Sequence, residues 1–71
     1  MVTLQQLKYM IEVAARGSMN EAAKRLFISQ PSLSSAIKEL ERELRITLFE
    51  RTNKGITLTP EGRNFLAMRG R

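Results

Sequence analysis

Cysteine, histidine and aspartate are all missing from this 71-residue sequence. Their absence removes disulfides, thiolate chemistry and the usual zinc ligands, and leaves only glutamates and lysines for acid–base work. No pair of those carboxylates converges in a pattern suited to catalysis. The chain is also too short to hold a catalytic cavity beside a core, because so small a domain buries only about 60% of the surface its unfolded chain exposes. No apolar run approaches the roughly 18 residues of a membrane span. Polar Thr3-Leu4-Gln5-Gln6 stands where a signal peptide needs an apolar stretch. The expectation is one cytoplasmic domain that is not an enzyme, requires no metal and no cofactor, and does not enter a membrane.

What the sequence has is positive charge. Twelve Lys and Arg face seven acidic residues, all glutamate, for a formal charge of +5. That balance favours a polyanionic partner, either nucleic acid or an anionic membrane. A hydrophobic content of 42% is ordinary for a globular domain, so the charge belongs to a folded unit and not to a disordered tail. A membrane-surface peptide would need one continuous basic amphipathic helix. Here the basic residues are spread over several elements and mixed with glutamate.

Thr3 and Gln6 have the spacing of a capping box. Leu4, Leu7, Ile11 and Ala14 then recur at helical period, with Met10 and Val13 widening the stripe, which predicts a helix over about 4–15. Gly17 suits the left-handed stop. Ser18 and Glu21 open a second box, before a helix from Met19 to Leu26 whose inner face is Ala22, Ala23 and Leu26. After Phe27-Ile28-Ser29, a serine cap and Pro31 start a third helix at Gln30 or Pro31. Leu33, Ala36 or Ile37, Leu40 and Leu44 keep its period, and Glu41 with Arg45 has the spacing of an i,i+4 ion pair. Beyond Arg45 the period changes. Two short runs around Thr52-Asn53-Lys54-Gly55, the second being Ile56-Thr57-Leu58, predict a hairpin. Thr59-Pro60-Glu61 begins a last helix, whose apolar Phe65, Leu66 and Met68 form an exposed stripe unless something covers them.

Two helices joined by a three- or four-residue turn, followed by a hairpin, describe a mainly α winged helix-turn-helix. Ala22, Ala23, Leu26, Ile28, Leu33 and Ala36 are the apolar positions that lock the pair. The turn position often held by glycine is Phe27, so the turn either avoids positive φ or strains Phe27. From Phe27 to Ile37 no residue is charged, and Ser29, Gln30, Ser32, Ser34 and Ser35 offer donors and acceptors. A surface entering the major groove needs such side chains and no carboxylate facing phosphates. Glu39, Glu41 and Glu43 lie on the far half of the helix, expected to point away from DNA. Lys54 at the hairpin tip and Arg51 on the incoming strand fit a wing that meets a neighbouring groove or phosphate. The alternative is a winged helix that binds proteins through the same faces. The carboxylate-free run from Ser29 to Lys38 argues against it.

The ordered run Gly17-Ser18-Met19-Asn20-Glu21-Ala22-Ala23-Lys24-Arg25-Leu26, Ile28-Ser29-Gln30-Pro31-Ser32-Leu33-Ser34, Leu40-Glu41, Leu48-Phe49-Glu50-Arg51 and Leu58-Thr59-Pro60-Glu61-Gly62 resembles the DNA-binding domain of LysR-type transcriptional regulators. The resemblance spans nearly the whole chain. It implies a winged helix-turn-helix over 1–59, with a recognition helix at about 30–44 in the major groove and a wing at about 48–58. Residues 60–71 would begin the linker helix through which the family's regulators form dimers or tetramers, leading to a separate effector-binding domain absent here. It further implies base reading by Gln30, Pro31, Ser34 and Ser35 and a wing contact by Lys54, to which the residues' own chemistry adds Ser29, Ser32, Lys38 and Arg51 as expected backbone or wing contacts. Phe65, Leu66 and Met68 are the expected dimerisation residues. Two positions depart from the family pattern. Ser35 stands where an arginine is usual, replacing a strong guanine or phosphate contact with a weak one. Arg45 stands where glycine is usual after the recognition helix, so it either accepts a left-handed backbone or ends the helix differently.

Overall fold

A computed structural model describes residues 2–69, with the Arg69 side chain excluded. Four helices and one hairpin follow in order: α1 (Leu4–Arg16), α2 (Met19–Leu26), α3 (Gln30–Leu44), β1 (Phe49–Thr52), β2 (Gly55–Leu58) and α4 (Pro60–Arg69). The winged helix-turn-helix read from the sequence is the observed architecture. Local chemistry sets most of the boundaries. Thr3 and Gln6 make both arms of the capping box at the start of α1. Ser18 caps α2 by accepting the Glu21 N–H, but Glu21 does not return the bond; its carboxylate lies 3.6 Å from Lys24 instead. Ser29 caps α3 by accepting the Ser32 N–H at 3.2 Å.

The three helices before the wing all end on a left-handed residue, and only one is glycine. Gly17 closes α1 at φ 67°, Phe27 closes α2 at φ 59° and Arg45 closes α3 at φ 58°. The two options left open by the sequence at Phe27 and Arg45 therefore resolve the same way, at a cost of about 1 kcal/mol each relative to glycine. The reason lies in the residue that follows. Phe27 N–H donates to Lys24 C=O and Ile28 N–H to Ala23 C=O, a Schellman closure that turns Ile28 back onto the core. Ile46 N–H likewise reaches Glu41 C=O, and Ile46 packs against the same core.

That core comprises Met10, Val13, Ala22, Ala23, Leu33, Ile37, Leu40, Leu48 and Phe49. Met10, Val13, Leu33, Leu40 and Leu48 are the largest of its fully buried side chains, each stabilising by about 1.5–3 kcal/mol relative to an exposed one. On α3 the buried residue is Ile37 and not Ala36. On α1 only part of the expected stripe is buried: Met10 and Val13 form the buried line, while Leu4 and Ile11 stand 72% and 51% exposed. The whole stripe has helical period, and the path of the Gly17 turn decides which part of it meets α2 and α3.

The wing is an antiparallel pair with Phe49 opposite Leu58, Glu50 opposite Thr57, Arg51 opposite Ile56 and Thr52 opposite Gly55. Among the described residues positive φ is confined to Gly17, Phe27, Arg45 and Gly55, so Asn53 and Lys54 turn with ordinary φ and Gly55, at 125°, takes the unusual conformation. Three bonds fasten the wing and its base: Ile56 N–H donates to Gly17 C=O at 3.1 Å, and the Glu41 carboxylate accepts Leu48 N–H at 2.7 Å and Phe49 N–H at 3.4 Å. The expected Glu41–Arg45 ion pair does not form, because the carboxylate turns inward to these amides.

Candidate nucleic-acid interface

Because α3 buries Leu33, Ile37 and Leu40, its helical period turns Pro31, Ser35, Lys38 and Arg42 to the opposite, solvent-facing side. Gln30 sits at the edge of that face and Ser34 is half-buried beside it. Gln30 lines a groove with Ser18, Asn20 and Arg51, floored by Gly17, Gly55 and Ile56. Ser34 and Lys38 line a neighbouring groove whose other wall again includes Arg51. The space between α3 and β1 therefore gathers Gln30, Ser34, Lys38 and Arg51. Lys54 stands apart from both grooves, exposed at the wing tip, where its N–H donates to Thr52 Oγ1 at 3.2 Å.

Ser29 and Ser32 have unequal freedom. The Ser29 hydroxyl accepts the Ser32 N–H and donates to Ser32 Oγ at 2.9 Å, so both of its roles are engaged. Ser32 keeps its own hydroxyl hydrogen for an external acceptor such as a phosphate oxygen. Pro31 has no N–H, and the Ser32 and Leu33 N–H groups donate to the Ser29 hydroxyl and carbonyl, so the first turn of α3 keeps few amides for an anion.

Lys38, Arg51 and Lys54 make no ion pair among the described residues, whereas Arg16 and Lys24 are matched to Glu12 at 2.8 Å and Glu21 at 3.6 Å. The α3 and wing side thus carries cations that no carboxylate is matched to. Two carboxylates border this region. Glu41 is committed to the Leu48 and Phe49 amides, and Glu50 is exposed on β1. Sequence reasoning passed over Asn20, exposed at the start of α2 and next to Gln30 across the groove. Its signal was available, since the first helix of such a motif crosses the backbone with its N-terminal end. It also passed over Arg42, which continues the outward line of Lys38 by one turn. Among the described residues no helix is long and apolar enough to cross a membrane, and no group of three or more acidic, histidine or cysteine side chains is placed to hold a metal ion.

The family described as bacterial regulatory helix-turn-helix protein, lysR family, matches residues 4–63. A Bacillus subtilis (strain 168) protein, the uncharacterized HTH-type transcriptional regulator YcgK, is 49% identical over 63 residues, covering 89% of this chain and 19% of that protein. The HTH-type transcriptional regulator ClcR of Pseudomonas putida is 48% identical over 62 residues, covering 87% and 21%. The chain thus spans about a fifth of the length of these relatives. Among solved structures, the CbnR_DBD–DNA complex superposes with a TM-score of 0.89 at 44% identity, over 99% of this chain and 80% of that one. The BenM_DBD complex with benA site 1 DNA superposes with a TM-score of 0.88 at 40% identity, over 94% and 75%.

Proposed function

The chain belongs to the lysR family of bacterial regulatory helix-turn-helix proteins, and from that premise we propose that it binds duplex DNA sequence-specifically as the N-terminal domain of a cytoplasmic transcription regulator. The observation that carries this reading is Arg51 set between two adjoining grooves, one lined by Gln30 and the other by Ser34 and Lys38, all three on the half of α3 that precedes its first carboxylate, Glu39. In it the N-terminal half of α3 enters the major groove. Gln30 reads a base edge through its amide, Pro31, Ser34 and Ser35 shape the contact with neighbouring bases, and Ser32, Lys38 and Arg51 hold the flanking phosphates, with Ser29 positioning Ser32 through its cap. Lys54 reaches the backbone or a minor groove from the wing tip. The domain performs no chemical step and draws on no cofactor.

This division of roles has a measurable signature. On a duplex selected from a random library, Gln30→Ala is expected to cost about 1–3 kcal/mol, with little change on unselected DNA. Lys54→Ala is expected to weaken both nearly alike and to shallow the dependence of log K on log salt by about one unit. Fluorescence anisotropy titrations between roughly 50 and 200 mM salt measure both. Wild-type binding that ignores salt removes DNA as the partner, and equal losses for the two variants on both duplexes remove the assigned roles.

For the whole regulator the reading adds a homodimer or tetramer built through the continuation of α4, and a small-molecule effector bound by a further domain. Phe65 and Leu66 are half-buried against this domain's own core, whereas Met68 is 74% exposed. The free contact on α4 is therefore Met68, with Phe65 and Leu66 setting the angle of the helix. One exposed methionine on a ten-residue helix is too little for a stable seam, since knobs-into-holes pairing repeats apolar residues over several heptads. The 71-residue chain is expected to sediment as a monomer or a weak dimer at micromolar concentration and to occupy a single half-site. A sub-micromolar dimer that survives Met68→Ser places the contact elsewhere.

A further inference from the structure

Phe27 is 94% exposed, the most exposed large apolar side chain among the described residues. It also occupies a left-handed backbone at φ 59°, where glycine or asparagine is cheaper. The Schellman closure that turns Ile28 inward turns Phe27 out, two residues before the Ser29 cap and three before Gln30. The ring therefore stands at the entrance to the helix assigned to the major groove. Its chain neighbours are the exposed cations Lys24 and Arg25 and the serines of α3, with no carboxylate until Glu39. The other exposed large apolar residues, Leu4, Ile11 and Met68, lie on α1 and α4 and not on α2, α3 or the wing.

We propose that Phe27 is a DNA contact whose ring packs on the deoxyribose edge of the strand bordering the groove entered by α3. The proposal rests on the DNA-binding reading above. The sugars are the apolar part of the backbone, and a ring two residues beyond the exposed Arg25, a cation able to hold an adjacent phosphate, can cover one. Such a contact contributes affinity without reading sequence, and it releases no counterion because the ring carries no charge.

Anisotropy titrations of Phe27→Gly and Phe27→Tyr, on a selected and a random duplex over a range of salt, test the idea beside thermal melts. Phe27→Gly relieves the left-handed strain, so its melting temperature is expected to equal or exceed that of the wild type. Its affinity is expected to fall about five- to tenfold on both duplexes, the loss for a few tens of Å² of apolar contact, with an unchanged salt slope. Phe27→Tyr keeps the ring and is expected to keep the affinity. Phe27→Asn, which also tolerates this backbone, replaces the glycine variant should that loosen the turn. Undiminished binding by both ring-less variants overturns the proposal, leaving the ring to a protein partner, and so does a tyrosine variant as weak as the glycine one. A wild-type chain that binds neither duplex overturns the DNA reading itself, a distinct result.

Discussion

Replacing Glu41 by alanine is expected to lower the melting temperature by about 10–20 °C. The carboxylate reaches from α3 to the segment that leads into the wing, where Oε2 accepts the Leu48 N–H at 2.7 Å and the Phe49 N–H at 3.4 Å. Leu48 is fully buried and Phe49 is 8% exposed. Alanine would leave the part-buried Leu48 and Phe49 amides without this acceptor. A charged hydrogen bond of this kind contributes about 1.5–3 kcal/mol, and a stranded buried donor costs a similar amount, so a net loss of about 2–3 kcal/mol is reasonable. In a domain of this size each kcal/mol shifts the midpoint by about 4–8 °C. Glu41→Gln keeps a carbonyl acceptor and is expected to recover most of the loss. Because the bond ties the wing base to α3, the alanine variant should also lose DNA affinity on selected and random duplexes alike. A circular-dichroism melt within about 3 °C of the wild type would show that the amides find another acceptor, against the unsatisfied-donor cost assumed here.

Glu41 also marks where sequence reasoning stops. Its distance from Arg45 along one helix predicts an ion pair, but an exposed pair of that kind contributes only about 0.3–0.5 kcal/mol, and two buried amides seven and eight residues away outbid it. Features settled within a few residues were legible. The Thr3–Gln6 box, the Ser29 cap and the Gly17 stop are each decided by neighbours in the chain, and Arg51 borders both the groove that Gln30 lines and the adjoining one that Ser34 and Lys38 line. Features settled by tertiary return were not. Phe27 and Arg45 accept a left-handed backbone only because Ile28 and Ile46 must fold back to the core, a demand that no local propensity carries. The expected stripe on α1, which spans Leu4, Leu7, Met10, Ile11, Val13 and Ala14, is wider than the buried line of Met10 and Val13 for the same reason, since only α2 and α3 decide which part of it is covered. Asn20 carries a sequence signal, its place at the start of the motif's first helix, but its position beside Gln30 depends on how α2 and the wing close on α3.

Gly62→Ala is expected to destabilise the domain by about 1–3 kcal/mol, although helix propensity alone predicts the reverse. In an exposed helix, alanine for glycine gains about 0.8–1 kcal/mol. Gly62 is buried in the first turn of α4, and a Cβ there would stand 2.5 Å from Leu48 O, 3.2 Å from Leu48 C and 3.1 Å from Leu58 Cδ2. The nearest obstacle is backbone, and it is already fully used. Leu48 C=O accepts the Thr59 N–H at 2.9 Å, and the Thr59 hydroxyl lies against Leu48 and Thr47 carbonyl oxygens while accepting the Gly62 N–H at 3.0 Å. Any shift of Leu48 O to admit the methyl therefore disturbs the buried Thr59 bonds that set where α4 leaves the wing. The overpacking cost exceeds the propensity gain, so the melting temperature is expected to fall and not rise. The geometric consequence reaches further than the stability, because α4 is the helix whose continuation would join two copies. In the parent regulator, Gly62→Ala should therefore weaken binding to paired half-sites by more than it weakens binding to one half-site, since a changed exit angle lowers the effective concentration of the second domain. Thermal melts of the chain and titrations of the parent on one and two half-sites measure the two effects separately. A variant that melts higher than the wild type would mean the α4 turn yields freely to a methyl group, and the close approach to Leu48 would then set neither stability nor exit angle.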